Sequence, residues 1–247
     1  MARIVPDNQV MKGSRLWESA NGSPFGYKHQ KKGEHMYQTL GIAGCILLLV
    51  SNLNAQIVSY SFTGAVGNES SFSPDNQPAG AFASSFTRGS GVNGSSAADA
   101  FSSSAWSRGE LALDDYFSFS LTPASGYQVS LTELQLDERR SGTGIRDWVA
   151  RSSLDDFASN IGTVVSVPDS LATRTDQSIS LASGTFDRIG GPVEFRIYGF
   201  NAESASGTWR VDNVELFGTL TPVPEVKSIC WVAGGLLGFS IWRRRQC

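Results

Sequence analysis

Between residues 56 and 220, apolar positions recur at every second residue in short runs. In IVSYSFT, residues 57–63, Val58, Tyr60 and Phe62 alternate with Ile57, Ser59 and Ser61, which predicts a strand with the first set facing a core. YFSFSL sets Phe117, Phe119 and Leu121 against Tyr116, Ser118 and Ser120. YQVSLTELQL starts with Tyr127, Val129 and Leu131 and then changes parity to Leu134 and Leu136, the shift that a β-bulge produces. Further strands are predicted over 148–151, 162–167, 177–181, 193–200 and 208–217, with turn residues between them in TPASG, SGTG, IGGP and ESASG. Short strands at this spacing, without an amphipathic helix, predict an all-β chain folded as a β-sandwich.

Residues 67–109 break the pattern. Small residues dominate, but Phe72, Phe82, Phe86, Phe101 and Trp106 interrupt them. Flexible linkers lack such aromatics, so long loops pinned to the sandwich by aromatic plugs are expected, with one short strand near 82–88.

Two longer apolar runs flank this region. The first, within MYQTLGIAGCILLLVSNLNA at 36–55, follows Lys31 and Lys32, has an uninterrupted apolar core at 40–50, and ends on the small residue Ala55. It reads as a signal peptide cut between Ala55 and Gln56 by signal peptidase. Residues 1–35 carry no apolar periodicity, and read as a disordered extension or as an over-long start with the initiator at Met36. The second run, at 228–242, is followed by Arg243, Arg244 and Arg245. At about 1.5 Å per residue it reads as a short transmembrane helix. The arginines are expected to act as a topology stop in a basic cytoplasmic tail over 243–247, with the region between the two runs carried outward.

The tail begins with Pro222, Val223, Pro224 and Glu225, in a hinge over 221–227. PVPE, one hydrophobic helix and a terminal arginine cluster together resemble the PEP-CTERM sorting signal. That resemblance implies handling by exosortase, a membrane protease with a catalytic cysteine, and delivery to the cell surface or extracellular matrix. The family's motif reads Pro-Glu-Pro, whereas Val226 stands here after Glu225. The region at 56–220 is similar to the jelly-roll-like sandwiches that accompany such tails, and its closing WRVDNVELFG, residues 209–218, resembles the last strand of many carbohydrate-binding jelly rolls.

Charge and chemistry narrow the function. Residues 56–220 hold 10 Arg, no Lys and 19 Asp plus Glu, a net charge of −9. That is a poor match for a phosphate backbone, so nucleic acid is not an expected partner. The same stretch has no Cys and no His, which removes disulfides and thiol or imidazole catalysis from it. Trp148 with Arg151, and Trp209 with Arg210, would stack on and hydrogen-bond sugar if exposed, or pack in the core if buried. Asp155, Asp156 and Asp212 are candidate calcium ligands, with no other cofactor expected. DERRSGTGIRD at 137–147 reads as a charged hairpin tip. Adjacent carboxylates such as Asp137 and Glu138 point to opposite faces of a strand, so neither pairs with its neighbour across a substrate. A noncatalytic surface or matrix protein is expected, adhesive or binding exopolysaccharide; the alternative is a secreted carboxylate-dependent polysaccharide hydrolase.

Overall fold

The computed structural model describes residues 55–224. The extension at 1–35, the signal peptide apart from Ala55, Glu225 of the sorting motif, the helix at 228–242 and Arg243, Arg244 and Arg245 lie outside the described residues. Among the described residues no helix is long and apolar enough to cross a membrane.

Among the described residues thirteen strands follow in chain order: β1 (Ala55–Tyr60), β2 (Ser71–Phe72), β3 (Ala81–Ala83), β4 (Phe86–Arg88), β5 (Asn93–Gly94), β6 (Phe101–Ser104), β7 (Tyr116–Pro123), β8 (Tyr127–Arg140), β9 (Asp147–Ser152), β10 (Ile161–Ser166), β11 (Arg174–Ser180), β12 (Val193–Phe200) and β13 (Trp209–Pro222). They form two antiparallel sheets. The first runs β11-β8-β13-β6-β5, with β1 also on β13; the second runs β10-β9-β12-β7-β4-β2, with β3 also on β7. The all-β expectation holds.

The inward faces meet in one aromatic core. Trp209 of the first sheet lies 5.4 Å from Phe117 and 6.2 Å from Trp148 of the second, ring centre to ring centre. Tyr60 reaches Phe119 at 5.4 Å, and Phe101 reaches Phe86 at 5.2 Å. Aromatic pairs at such spacings add attraction beyond the area they bury.

Alternation in the sequence translates directly into this burial. Val58, Tyr60 and Phe62 are fully buried, as are Phe117 and Leu121. Ile57, expected on the outer face, is buried too, because β1 shifts register between Gln56 and Val58. The parity change in β8 is a bulge: Phe217 pairs with Glu133 and Gly218 with Leu131, leaving Thr132 as the extra residue. Tyr127, expected with the core set, sits at the strand end and is exposed.

Of the expected plugs, Phe86, Phe101 and Trp106 are buried and Phe72 packs against the core. Phe82 is exposed: in β3 it is Ala81 that turns inward. Arg88 secures this region, donating to the carbonyl oxygens of Glu69, Gly67 and Ser102 and lying 4.1 Å from the centre of the Phe101 ring.

Strand β13 runs further than its pattern predicts. Thr221 and Pro222, placed in the hinge by the sequence, complete it opposite Gln128 and Tyr127, and the Val223 N–H donates to Gly126 O at 2.7 Å. Ala55 pairs with Gly218. The first and last described strands therefore have their outer ends at the same end of the first sheet.

Candidate functional site

Strands β8 and β13 are the long central pair of the first sheet, and both alternate strictly where they face each other near their far ends. On β8, Leu136, Glu138 and Arg140 are buried while Asp137 and Arg139 are half-buried. On β13, Trp209 and Val211 are buried while Arg210 and Asp212 are half-buried. The segment at 137–140 is therefore strand, not the tip of a charged hairpin. The period-2 geometry divides its four charges, two inward and two outward.

Register then decides which outward charges meet. Arg139 lies opposite Arg210, and Asp137 lies opposite Asp212. Directly opposed residues have Cβ atoms about 4.5–5.5 Å apart, and like charges at that spacing repel. The outward face thus carries a basic row beside an acidic row.

The acidic row is held in shape by its neighbours. Both oxygens of Asp137 accept hydrogen bonds: Oδ1 from the Asp176 N–H at 2.8 Å, Oδ2 from Asn213 Nδ2 at 2.9 Å. Asn213 sits in a β13 bulge with φ of 44°, where register slips between Asp212 and Glu215. Burial is the main influence on the Asp212 carboxyl and pushes it above the usual aspartate value; the charges of Asp137 and Asp99 act the same way, and the Asn213 N–H opposes them.

Two cavities adjoin these rows. One, of about 220 Å³, is lined by Asp99, Asp137, Arg139, Arg210 and Asp212 among others. The other, of about 210 Å³, has Arg139, Arg140 and Arg210 with Ser96, Ser102, Ser141 and Thr208. They share Arg139 and Arg210, so a single groove crosses β8, β13 and β6, with the basic row in its middle.

Beneath the groove lies a buried charged layer. Glu138 accepts from Trp209 Nε1 at 2.7 Å and pairs with Arg174. Arg140 donates to Gly142 O at 3.0 Å, Gly144 O at 3.3 Å and Glu203 Oε1 at 2.8 Å, and pairs with Asp169 at 3.3 Å.

The residues singled out from sequence separate in space. Trp148 and Trp209 are wholly buried, so neither offers a ring face to a sugar; they pack instead in the core. Arg151 lies on the second sheet, where it donates to Asn160 Oδ1 at 2.8 Å and Phe157 O at 3.1 Å, bracing the 153–160 turn. Arg210 alone of the four falls in the groove. Asp155 and Asp156 follow β9 in the second sheet, whereas Asp212 is on the first, so they do not gather around one cation. Among the described residues no three carboxylate, imidazole or thiol groups stand close enough to hold a metal. Asp99 and Arg139 join the groove only through folding, and Asn213 reaches its edge by the hydrogen bond to Asp137.

No protein-family model matches the chain, and no curated protein matches it. Among solved structures, the chain is similar to TmCBM61 in complex with β-1,4-galactotriose, with a TM-score of 0.32 and 13% identity over 56% of this chain and 88% of that one.

Proposed function

We propose that this chain is a noncatalytic surface or extracellular-matrix protein whose jelly-roll-like sandwich binds glycan in the groove across β8, β13 and β6. The observation that carries the reading is the groove itself, where two arginines and several hydroxyls converge on an outward sheet face. Planar guanidinium forks and hydroxyls suit the ring oxygens and hydroxyls of a sugar. Each cavity is smaller than the roughly 300 Å³ at which pockets for drug-sized ligands begin, a fit for one sugar unit rather than an enclosed chain.

Position in the fold agrees with display. Arg210 stands 12 residues before Pro222 on β13, roughly 40 Å at about 3.3 Å per residue. A domain released outward by signal peptidase and held by its PEP-CTERM-like tail would carry the groove at its distal end. Exosortase-type processing and final delivery to surface or matrix belong to the same proposal.

The opposed carboxylates Asp137 and Asp212 favour a second reading, the hydrolase. Against it, both oxygens of Asp137 are already engaged by strand neighbours. The test is a polysaccharide panel with the full-length chain in a detergent that carries no sugar headgroup, scored for retention and for release of reducing ends. Retention without hydrolysis supports the binding protein. Hydrolysis abolished by Asp212→Asn would replace it with the enzyme, and neither retention nor hydrolysis would remove both.

A further inference from the structure

Building on the groove reading, we infer that the half of the groove beyond the basic row takes an anionic substituent of the sugar, a carboxylate or a sulfate, so that the polysaccharide recognised is acidic.

The half in question is the cavity of about 210 Å³, whose lining includes Arg139, Arg140 and Arg210 but no Asp or Glu. Among the described residues the guanidiniums of Arg139 and Arg210 make no hydrogen bond or ion pair, whereas Arg140, Arg174 and Arg196 each reach a carboxylate. Two cations facing each other without an anion between them oppose folding. An anion bridging both would relieve that repulsion and accept the paired N–H groups that a guanidinium fork offers.

Hydroxyl groups surround the same space: Ser96, Ser102, Ser141 and Thr208 line it beside the two arginines, and a hydroxyl can donate to an anion. Burial, and then the charge of Arg139, disfavour the charged form of Arg210, with Asp212 opposing them, and a bound anion would favour it further.

The sandwich as a whole argues against a trivial explanation. With −9 over residues 56–220, its general field repels polyanions, so affinity for one has to come from a local site.

Affinity electrophoresis of the full-length chain through gels containing polygalacturonate, dextran sulfate or neutral dextran tests this. Retardation by an acidic polymer but not by dextran is expected: polygalacturonate identifies the group as carboxylate, dextran sulfate as sulfate. The Arg139→Gln, Arg210→Gln double variant should lose about tenfold or more in affinity, the loss of charge-assisted hydrogen bonds. Its melting temperature should hold or rise, because a repulsion has been removed. Arg188→Gln, which deletes an exposed arginine elsewhere, should change nothing. Equal retardation by dextran, unaltered in the double variant, would overturn the anion site while leaving glycan binding intact. No retardation by any polymer would overturn both.

Discussion

The indole Nε1–H of Trp209 donates to Glu138 Oε2 at 2.7 Å, although the two residues are 71 positions apart and both are buried. The other oxygen of the carboxylate pairs with Arg174, whose side chain is 25% exposed. A polar tie of this kind fixes the register of β13 on β8, and with it the rows of charge on the opposite face. Glu138→Ala leaves a buried indole donor and a guanidinium without their acceptor. It should cost about 3 kcal/mol, the low end for a broken buried pair because water reaches Arg174. Glu138→Gln, which keeps an acceptor for the indole, should cost less. Denaturant unfolding followed by tryptophan fluorescence measures both.

Glu203 gives the fold a pH dependence. Its carboxyl is held below the ordinary glutamate value, first by the hydrogen bond from Arg140 and then by the charges of Arg140 and Arg146. A depressed carboxylate stabilises the folded state above the unfolded value of about 4.5, and that stability is lost as pH falls through the folded value. Glu203→Gln should therefore lower stability at neutral pH and flatten the acid limb of the profile. Acid titration at fixed denaturant, wild type beside variant, reads the difference.

Trp148 separates packing from recognition. Trp148→Ala empties the core beside Trp209 and should cost about 3–5 kcal/mol. Trp148→Phe should cost less, and polysaccharide retention per folded molecule should stay at the wild-type level. A loss of retention in folded Trp148→Phe would return the indole to the binding site.

Asp212 bears on both stability and binding. Its carboxyl lies above the usual aspartate range, chiefly through burial. A raised carboxyl makes the folded state less stable as pH rises from about 3.8 to the raised value, because the unfolded chain ionises more readily. Asp212→Asn should thus hold or raise stability at neutral pH, by about 0.2–1 kcal/mol for a removed like-charge pair. It should also tighten retention by an acidic polysaccharide, since one carboxylate beside Arg210 is gone. Thermal unfolding and affinity electrophoresis check the two effects separately.

Much of the architecture is written in local alternation. The parity change between Leu131 and Leu134 reports the β8 bulge, because each strand residue's side follows from counting by two. The aromatics at Phe86, Phe101 and Trp106 report a segment anchored to the core, since exposed rings of that size would forfeit their burial. Phe82 reads the same way and is exposed: a three-residue strand turns Ala81 inward, and composition does not set that phase. Phe86 and Phe101 lie in β4 and β6, however: the segment expected as long loops with one short strand carries five short strands, of which β3, β4 and β6 pair with partners distant in sequence. The charged run at 137–140 reads as a tip because nothing local says that β8 continues through it. Its partner, β13, supplies the hydrogen bonds that extend it.

Residue order by itself determined the sandwich class, the faces of its longer strands, the charge of −9 and the absence of thiol and imidazole from residues 56–220, all properties of near neighbours or of simple counts. Only the tertiary structure decided that Arg139 faces Arg210, that Asp137 faces Asp212, and that two tryptophans belong to the core. Those pairings depend on strand register across some seventy residues, which bulges and the buried Glu138–Trp209 bond set together. A one-residue slip would exchange every inward and outward side chain, so the groove exists only where the whole sheet agrees on its alignment.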